Sequence, residues 1–128
     1  MNAKGKGTSA ERELIHMLWE RKWAAHRIAG SGSSHYPSPD IIAGNGGRIL
    51  AIECKACAGD SQYFSKEEIE NLVLFSKMFG AEPYVATKFN RMGWFFMTPM
   101  HLKETAASWV MSRKMCELYG KKLDDAIR

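Results

Sequence analysis

Residues Pro39 to Lys55 read Pro-Asp-Ile-Ile-Ala-Gly-Asn-Gly-Gly-Arg-Ile-Leu-Ala-Ile-Glu-Cys-Lys. Two short apolar runs, Asp40–Ala43 and Arg48–Cys54, flank Gly44-Asn45-Gly46-Gly47. Asn-Gly is a strong hairpin signal, because both central residues of a type I′ turn take positive φ. With Asn45-Gly46 as a two-residue loop, Gly44 pairs with Gly47, Ile42 with Ile49 and Asp40 with Ala51. Side chains alternate along a strand, so Ala51, Glu53 and Lys55 share a face, and Asp40 lies on it too. Asp40 and Glu53 then stand diagonally across the pair, within reach of one cation. Charges at strand ends are commonly just solvated. Glu53, however, interrupts the run Ile49-Leu50-Ala51-Ile52, where an unpaired carboxylate is expensive to bury.

The spacing Pro39-Asp40, twelve residues, then Glu53-Cys54-Lys55 resembles the core of the restriction-endonuclease-like nucleases, the P-D…(D/E)-x-K superfamily. That motif is degenerate, so the rest of the chain has to support it. A chain of 128 residues with 45% apolar and 25% charged residues fits one soluble domain spanning 1–128. No run of about 18 apolar residues and no signal-peptide pattern occurs, so no membrane association and a cytoplasmic location are expected. Three cysteines, Cys54, Cys57 and Cys116, make an odd set consistent with a reducing compartment. They read as structural, since the Cys54-x-x-Cys57 spacing lacks a second pair for zinc and falls on a strand end. The excess of 18 basic over 14 acidic residues, net charge +4, favours a polyanionic partner.

Met1–Gly7, with Lys4 and Lys6 among glycines, reads as a mobile basic arm. Thr8-Ser9-Ala10-Glu11 offers a capping box that opens a helix to about Lys22. Ala10, Leu14, Met17, Leu18 and Arg21 give that helix an apolar face. Glu11 falls on this face, either as a capping carboxylate favoured by the helix dipole or as a further acidic group near a metal. Trp23–Ile28 is a strand, and the Gly/Ser-rich 29–38 is a loop that delivers the chain to Asp40. Arg27 suits a phosphate or a surface ion pair, and His35 is expected to be solvated. Ser65-Lys66-Glu67-Glu68 is a second capping box, opening a helix that Gly80 ends. Ile69, Leu72, Val73, Ser76 and Phe79 form its inward stripe, and Phe75 and Met78 widen the apolar arc toward a subunit interface. Tyr84–Phe89 and Trp94–Met97 form a hairpin around Asn90–Gly93. Beyond it, 98–128 reads as an extension of the same domain: a helical turn at Thr98-Pro99, a strand at Ser108–Met111, and a helix capped by Ser112 with a break at Gly120.

From Gly7 to about Met97 the chain resembles the archaeal-type Holliday-junction resolvases. The resemblance rests on K-G-x-x-x-E-R-E-L around Glu11, R-I-A-G-S-G around Arg27, P-D-I-I-A-G-N-G at Asp40 and A-I-E-C-K at Glu53. It continues through F-x-x-x-F-G-A around Gly80 and the Lys88-Phe89…Gly93-Trp94-Phe95-Phe96 hairpin. It implies an α/β restriction-endonuclease-like core, a central mixed β-sheet flanked by helices. It implies Glu11, Asp40, Glu53 and Lys55 as the catalytic acids and lysine, the first three holding the metal, and Ser31 as a functional loop serine. Arg12 and Arg27, with Lys4 and Lys6 of the arm, are the expected DNA-binding residues. The family implies a homodimer that makes paired nicks in four-way DNA junctions with Mg²⁺, for which Mn²⁺ is a substitute. The loop 31–38 departs from some relatives in being longer and less basic. Two other classes stay open on the residues alone: another restriction-like or repair endonuclease, and a non-catalytic DNA-binding module.

Overall fold

A computed structural model describes the backbone of residues 3–28 and 36–128, with side chains from residue 9 onward. Ser31 and His35 lie outside the described residues, as do the side chains of Lys4 and Lys6. The chain runs α1 (Ala3–Glu20), β1 (Ala24–Arg27), β2 (Ile41–Gly44), β3 (Ile49–Cys57), β4 (Ser61–Ser65), α2 (Lys66–Phe79), β5 (Glu82–Phe89) and β6 (Gly93–Met97). A 3₁₀ turn (Pro99–His101), β7 (Lys103–Glu104), β8 (Ser108–Ser112), α3 (Arg113–Tyr119) and α4 (Leu123–Ala126) complete it. No helix among the described residues is long and apolar enough to cross a membrane.

The central sheet is mixed, in the order β1-β2-β3-β5-β6. β1, β2 and β3 are successively antiparallel, β3 and β5 run parallel, and β6 returns antiparallel to β5. A parallel pair needs a crossover, and α2 supplies it. Nine residues of β3 alternate faithfully between two cores. Leu50, Ile52 and Cys54 join Leu14 and Leu18 of α1 and Leu123 of α4 on one side. Ala51 and Cys57 join Ile69 and Leu72 of α2, Phe64 and Met111 on the other. That alternation also settles the cysteines. Cys54 and Cys57, three apart on a strand, face opposite cores, and all three cysteines are free.

The β2–β3 hairpin forms, but not in the expected register. Ile41 pairs with Ile52, Ile42 with Ala51 and Gly44 with Ile49, so Ile42 does not meet Ile49 and Asp40 does not meet Ala51. The turn centres on Gly46-Gly47, with positive φ of 93° at Gly46 alone, the pattern of a type II′ turn. Asn45 closes the turn from outside, its amide donating to the Arg48 carbonyl and its Oδ1 accepting the Gly47 and Arg48 amides at 2.9 and 2.6 Å.

Helix α1 starts at Ala3 rather than at Thr8, so most of the expected arm is helical and the Thr8 box does not cap it. Once Ala10, Leu14 and Leu18 anchor the later turns, each residue added at the N-terminus costs only propagation, not nucleation. Ser65 caps α2 as expected. Its side chain accepts the Glu68 amide, Glu68 returns a bond to the Ser65 amide at 2.8 Å, and Gly80 ends the helix at φ 83°. The inward stripe is narrower than expected: Ile69, Leu72 and Ser76 are buried, while Val73 and Phe79 are exposed. An added feature is a small antiparallel sheet, β4-β8-β7, which covers the α2 side of the core. In the C-terminal part, Ser112 caps α3 through the Met115 amide and the chain breaks at Gly120, as expected. A Cβ at Gly120 would lie 2.6 Å from the Cys116 carbonyl oxygen.

Leu14 is fully buried under the helix that carries Glu11. Leu14→Ala is expected to cost about 2–5 kcal/mol through lost contacts and a residual cavity. Urea unfolding checks this, as a lowered midpoint at unchanged slope.

Candidate active site

Four carboxylates converge at the end of the β2–β3 pair. Asp40 is the hinge of the group. Its amide donates to the Ile52 carbonyl at 3.1 Å, one residue short of the partner that the ladder register would assign. Its Oδ2 then accepts the Cys54 amide at 3.0 Å, so the side chain takes over where main-chain pairing stops. From this step the Asp40 carboxylate lies close to Glu11 and the Cys54 sulfur, ligand atoms of the three standing within 4.8 Å of one another. It also acts electrostatically on Glu53.

Glu53 and Lys55 occupy the α2 side of β3. Glu53 is 9% exposed. Burial chiefly, then the Asp40 and Glu68 carboxylates, push its acid up to about 9, against the pull of Lys55. Glu68, in the first turn of α2, is ion-paired to Lys55 Nζ at 2.9 Å. Burial would raise Glu68, but the Ser65 amide, Lys55 and the hydrogen bond from Glu53 bring it below the ordinary carboxylate range. Burial thus favours the protonated form of Glu53, and its neighbours the ionised form of Glu68. The Lys55 ammonium also lies 5.7 Å from the centre of the Phe64 ring, over its face.

Glu11 reaches the site from α1. Burial, then Asp40, raise its acid, while Arg27 opposes them. Arg27 Nε donates to Glu11 Oε2 at 2.6 Å from the end of β1. Arg12 points outward into solvent. Glu13, one residue further, faces away from the site and bonds Lys88 and the Trp94 indole instead.

The structure therefore brings Glu11, Asp40, Glu53 and Lys55 to one region, with Asp40 between Glu11 on the α1 side and Glu53 on the α2 side. Arg27 stands at its rim. Two participants escaped the sequence reading. Glu68 read only as a capping residue, although its position three after Ser65 also aims it back toward the sheet end. Cys54 read as structural, although its place between Glu53 and Lys55 sets it on the face opposite theirs, toward Glu11.

The cluster fits a divalent cation on its chemistry. Oxygen ligands suit hard cations, and carboxylates crowded until one is protonated gain most from a positive ion among them.

Comparison with known proteins agrees. The profile of the family described as archaeal Holliday junction resolvase (hjc) matches residues 2–128. The crossover junction endodeoxyribonuclease Hjc of Archaeoglobus fulgidus is 44% identical over 115 residues, covering 90% of this chain and 85% of the relative. That of Methanocaldococcus jannaschii is 38% identical, covering 95% of this chain and 96% of the relative. The crystal structure of A. fulgidus Hjc, described as a Holliday junction resolvase from an archaeal hyperthermophile, superimposes with a TM-score of 0.90 at 40% identity. The match covers 95% of this chain and all of that one. With this extent of match in both sequence and fold, the chain belongs to the archaeal Holliday junction resolvase (Hjc) family.

Proposed function

We propose that this chain is a structure-selective endonuclease that resolves four-way DNA junctions by paired, magnesium-dependent hydrolysis of phosphodiesters, working as a homodimer. The observation that carries the reading is the placement of Asp40 in a chain of this family: against Glu11 on one side and coupled to Glu53 on the other. Asp40 and Glu53 hold the ion, with Glu11 as a further ligand or the holder of a ligand water. Mn²⁺ is its natural substitute. The ion supplies Lewis-acid stabilisation of charge on the phosphate oxygens.

The protein's own groups do the rest. Glu53, whose acid burial pushes up, would hold a cation in its ionised form. Lys55, steadied by Glu68, orients the attacking water or neutralises the scissile phosphate. Arg27 and Arg12, with Lys4, Lys6 and Ser31, meet the DNA backbone. Such contacts read phosphate spacing and carry little base information, which suits selection of a junction by shape. A two-fold dimer matches a junction of approximate two-fold symmetry, since one axis relates two sites to two opposed strands. Val73, Leu74, Met78 and Phe79 of α2 are 43%, 47%, 80% and 53% exposed, an apolar strip suited to a second copy of this chain.

A synthetic immobile junction tests the activity: symmetric nicks that require magnesium are expected, and a preference for flap or plain duplex DNA would favour another nuclease of the superfamily. Asp40→Asn and Glu53→Gln are each expected to lower the nicking rate by about a hundredfold or more, with junction affinity held within a few fold because cations, not these acids, bind the phosphates. Unchanged cleavage would remove the site assignment. Met78→Glu is expected to turn a sedimenting dimer into a monomer at micromolar concentration, and a monomeric parent would rule out the dimer.

Glu53 sets a pH signature in chelator. Its value in the folded chain, about 9, lies above the ordinary 4.5, so the folded chain binds a proton that the unfolded chain has lost. Stability from this group is complete below about pH 4.5 and declines as pH rises through 9, by at most about 1.4 kcal/mol per pH unit. Glu53→Gln is expected to flatten that slope and to exceed the parent in stability at pH 8. Urea midpoints across pH 5–9 check it; parallel profiles would mean that Glu53 is ionised in the fold.

A further inference from the structure

One ligand atom at the site is of the wrong kind for magnesium. The Cys54 residue is 7% exposed, and its sulfur makes no hydrogen bond among the described residues. Cys57, by contrast, spends its thiol on the Gly59 and Ser61 carbonyls at 3.5 and 3.4 Å. The Cys54 sulfur instead lies within 4.8 Å of a carboxylate oxygen of Glu11 and one of Asp40, which are also within 4.8 Å of each other. Magnesium takes oxygen and leaves thiolate alone, whereas zinc and similar borderline cations accept both. In a tetrahedral zinc site with Zn–S near 2.3 Å and Zn–O near 2.0 Å, ligand atoms stand roughly 3.3–3.8 Å apart.

We propose that Glu11, Asp40 and Cys54 form a site for a borderline divalent cation, represented by Zn²⁺, that shares Asp40 with the oxygen-only magnesium site. On binding, the thiol proton leaves to solvent and Glu11 exchanges its Arg27 partner, 2.6 Å away, for the metal. Because Asp40 belongs to both ligand sets, occupation of one site acts on the other through this carboxylate. The sharing of Asp40 rests on the magnesium site proposed above, and zinc binding itself on these three side chains.

Cobalt is the probe, titrated into the metal-free full-length protein. A thiolate-to-cobalt charge-transfer band in the near ultraviolet is expected, saturating at one ion per chain and erased by Zn²⁺ but not by equimolar Mg²⁺. Cys57→Ala should keep the band. Cys54→Ala should lose it, and calorimetry should find zinc binding weakened at least tenfold. Glu11→Gln leaves the thiol in place and should weaken zinc by a similar factor, a second route if Cys54→Ala does not fold. Absence of the band from the parent, its survival in Cys54→Ala, or unchanged zinc affinity in Glu11→Gln would each overturn the proposal. No DNA enters these titrations, so their failure and a failure of junction nicking are separate results.

Discussion

Mutual repulsion among Glu11, Asp40, Glu53 and Glu68 is the constraint that the rest of the site answers. Four carboxylates in a half-buried notch cannot all stay ionised without compensation. Each has a different remedy. Glu11 leans on Arg27, Asp40 accepts a main-chain amide from Cys54, Glu68 takes Lys55, and Glu53 keeps its proton. The carboxylates come from α1, the residue before β2, β3 and α2, and the groups that answer them from β1 and β3. The order of those elements around the sheet is thus what makes so dense a charge cluster affordable in a domain of this size.

Much of this was legible because the signals were local. The Ser65 box, the Gly80 stop, the Ser112 cap and the break at Gly120 each depend on a few adjacent residues, and each stands where the sequence puts it. The β2–β3 hairpin was legible in kind but not in register. Gly44-Asn45-Gly46-Gly47 permits more than one turn centre, and the observed pairing differs from the expected one by two residues in total. A shift of two leaves every side chain on its original face, so the hydrophobic pattern cannot discriminate between the two. The error was therefore invisible to periodicity and harmless to the core.

Other features depend on long-range partners that no local pattern encodes. Residues 61–65 carry no strand in the sequence reading, and become β4 because β8, more than forty residues later, pairs with them. Val73 and Phe79 fit an inward helical stripe by spacing, yet the small sheet and β5 fill only the arc around Ile69, Leu72 and Ser76. The role of Cys54 escaped for a related reason. Its thiol matters through Glu11 on a helix far earlier in the chain, and a strand position alone does not show what lies across from it.

The two oxygens of Glu68 have separate employers. One secures the Ser65 amide at the start of α2, and the other grips Lys55. Secondary structure and chemistry therefore draw on a single side chain, and any opening of the first turn of α2 slackens the lysine as well. A glutamine there would keep the amide contact while surrendering the charge, splitting two duties that the native residue discharges together.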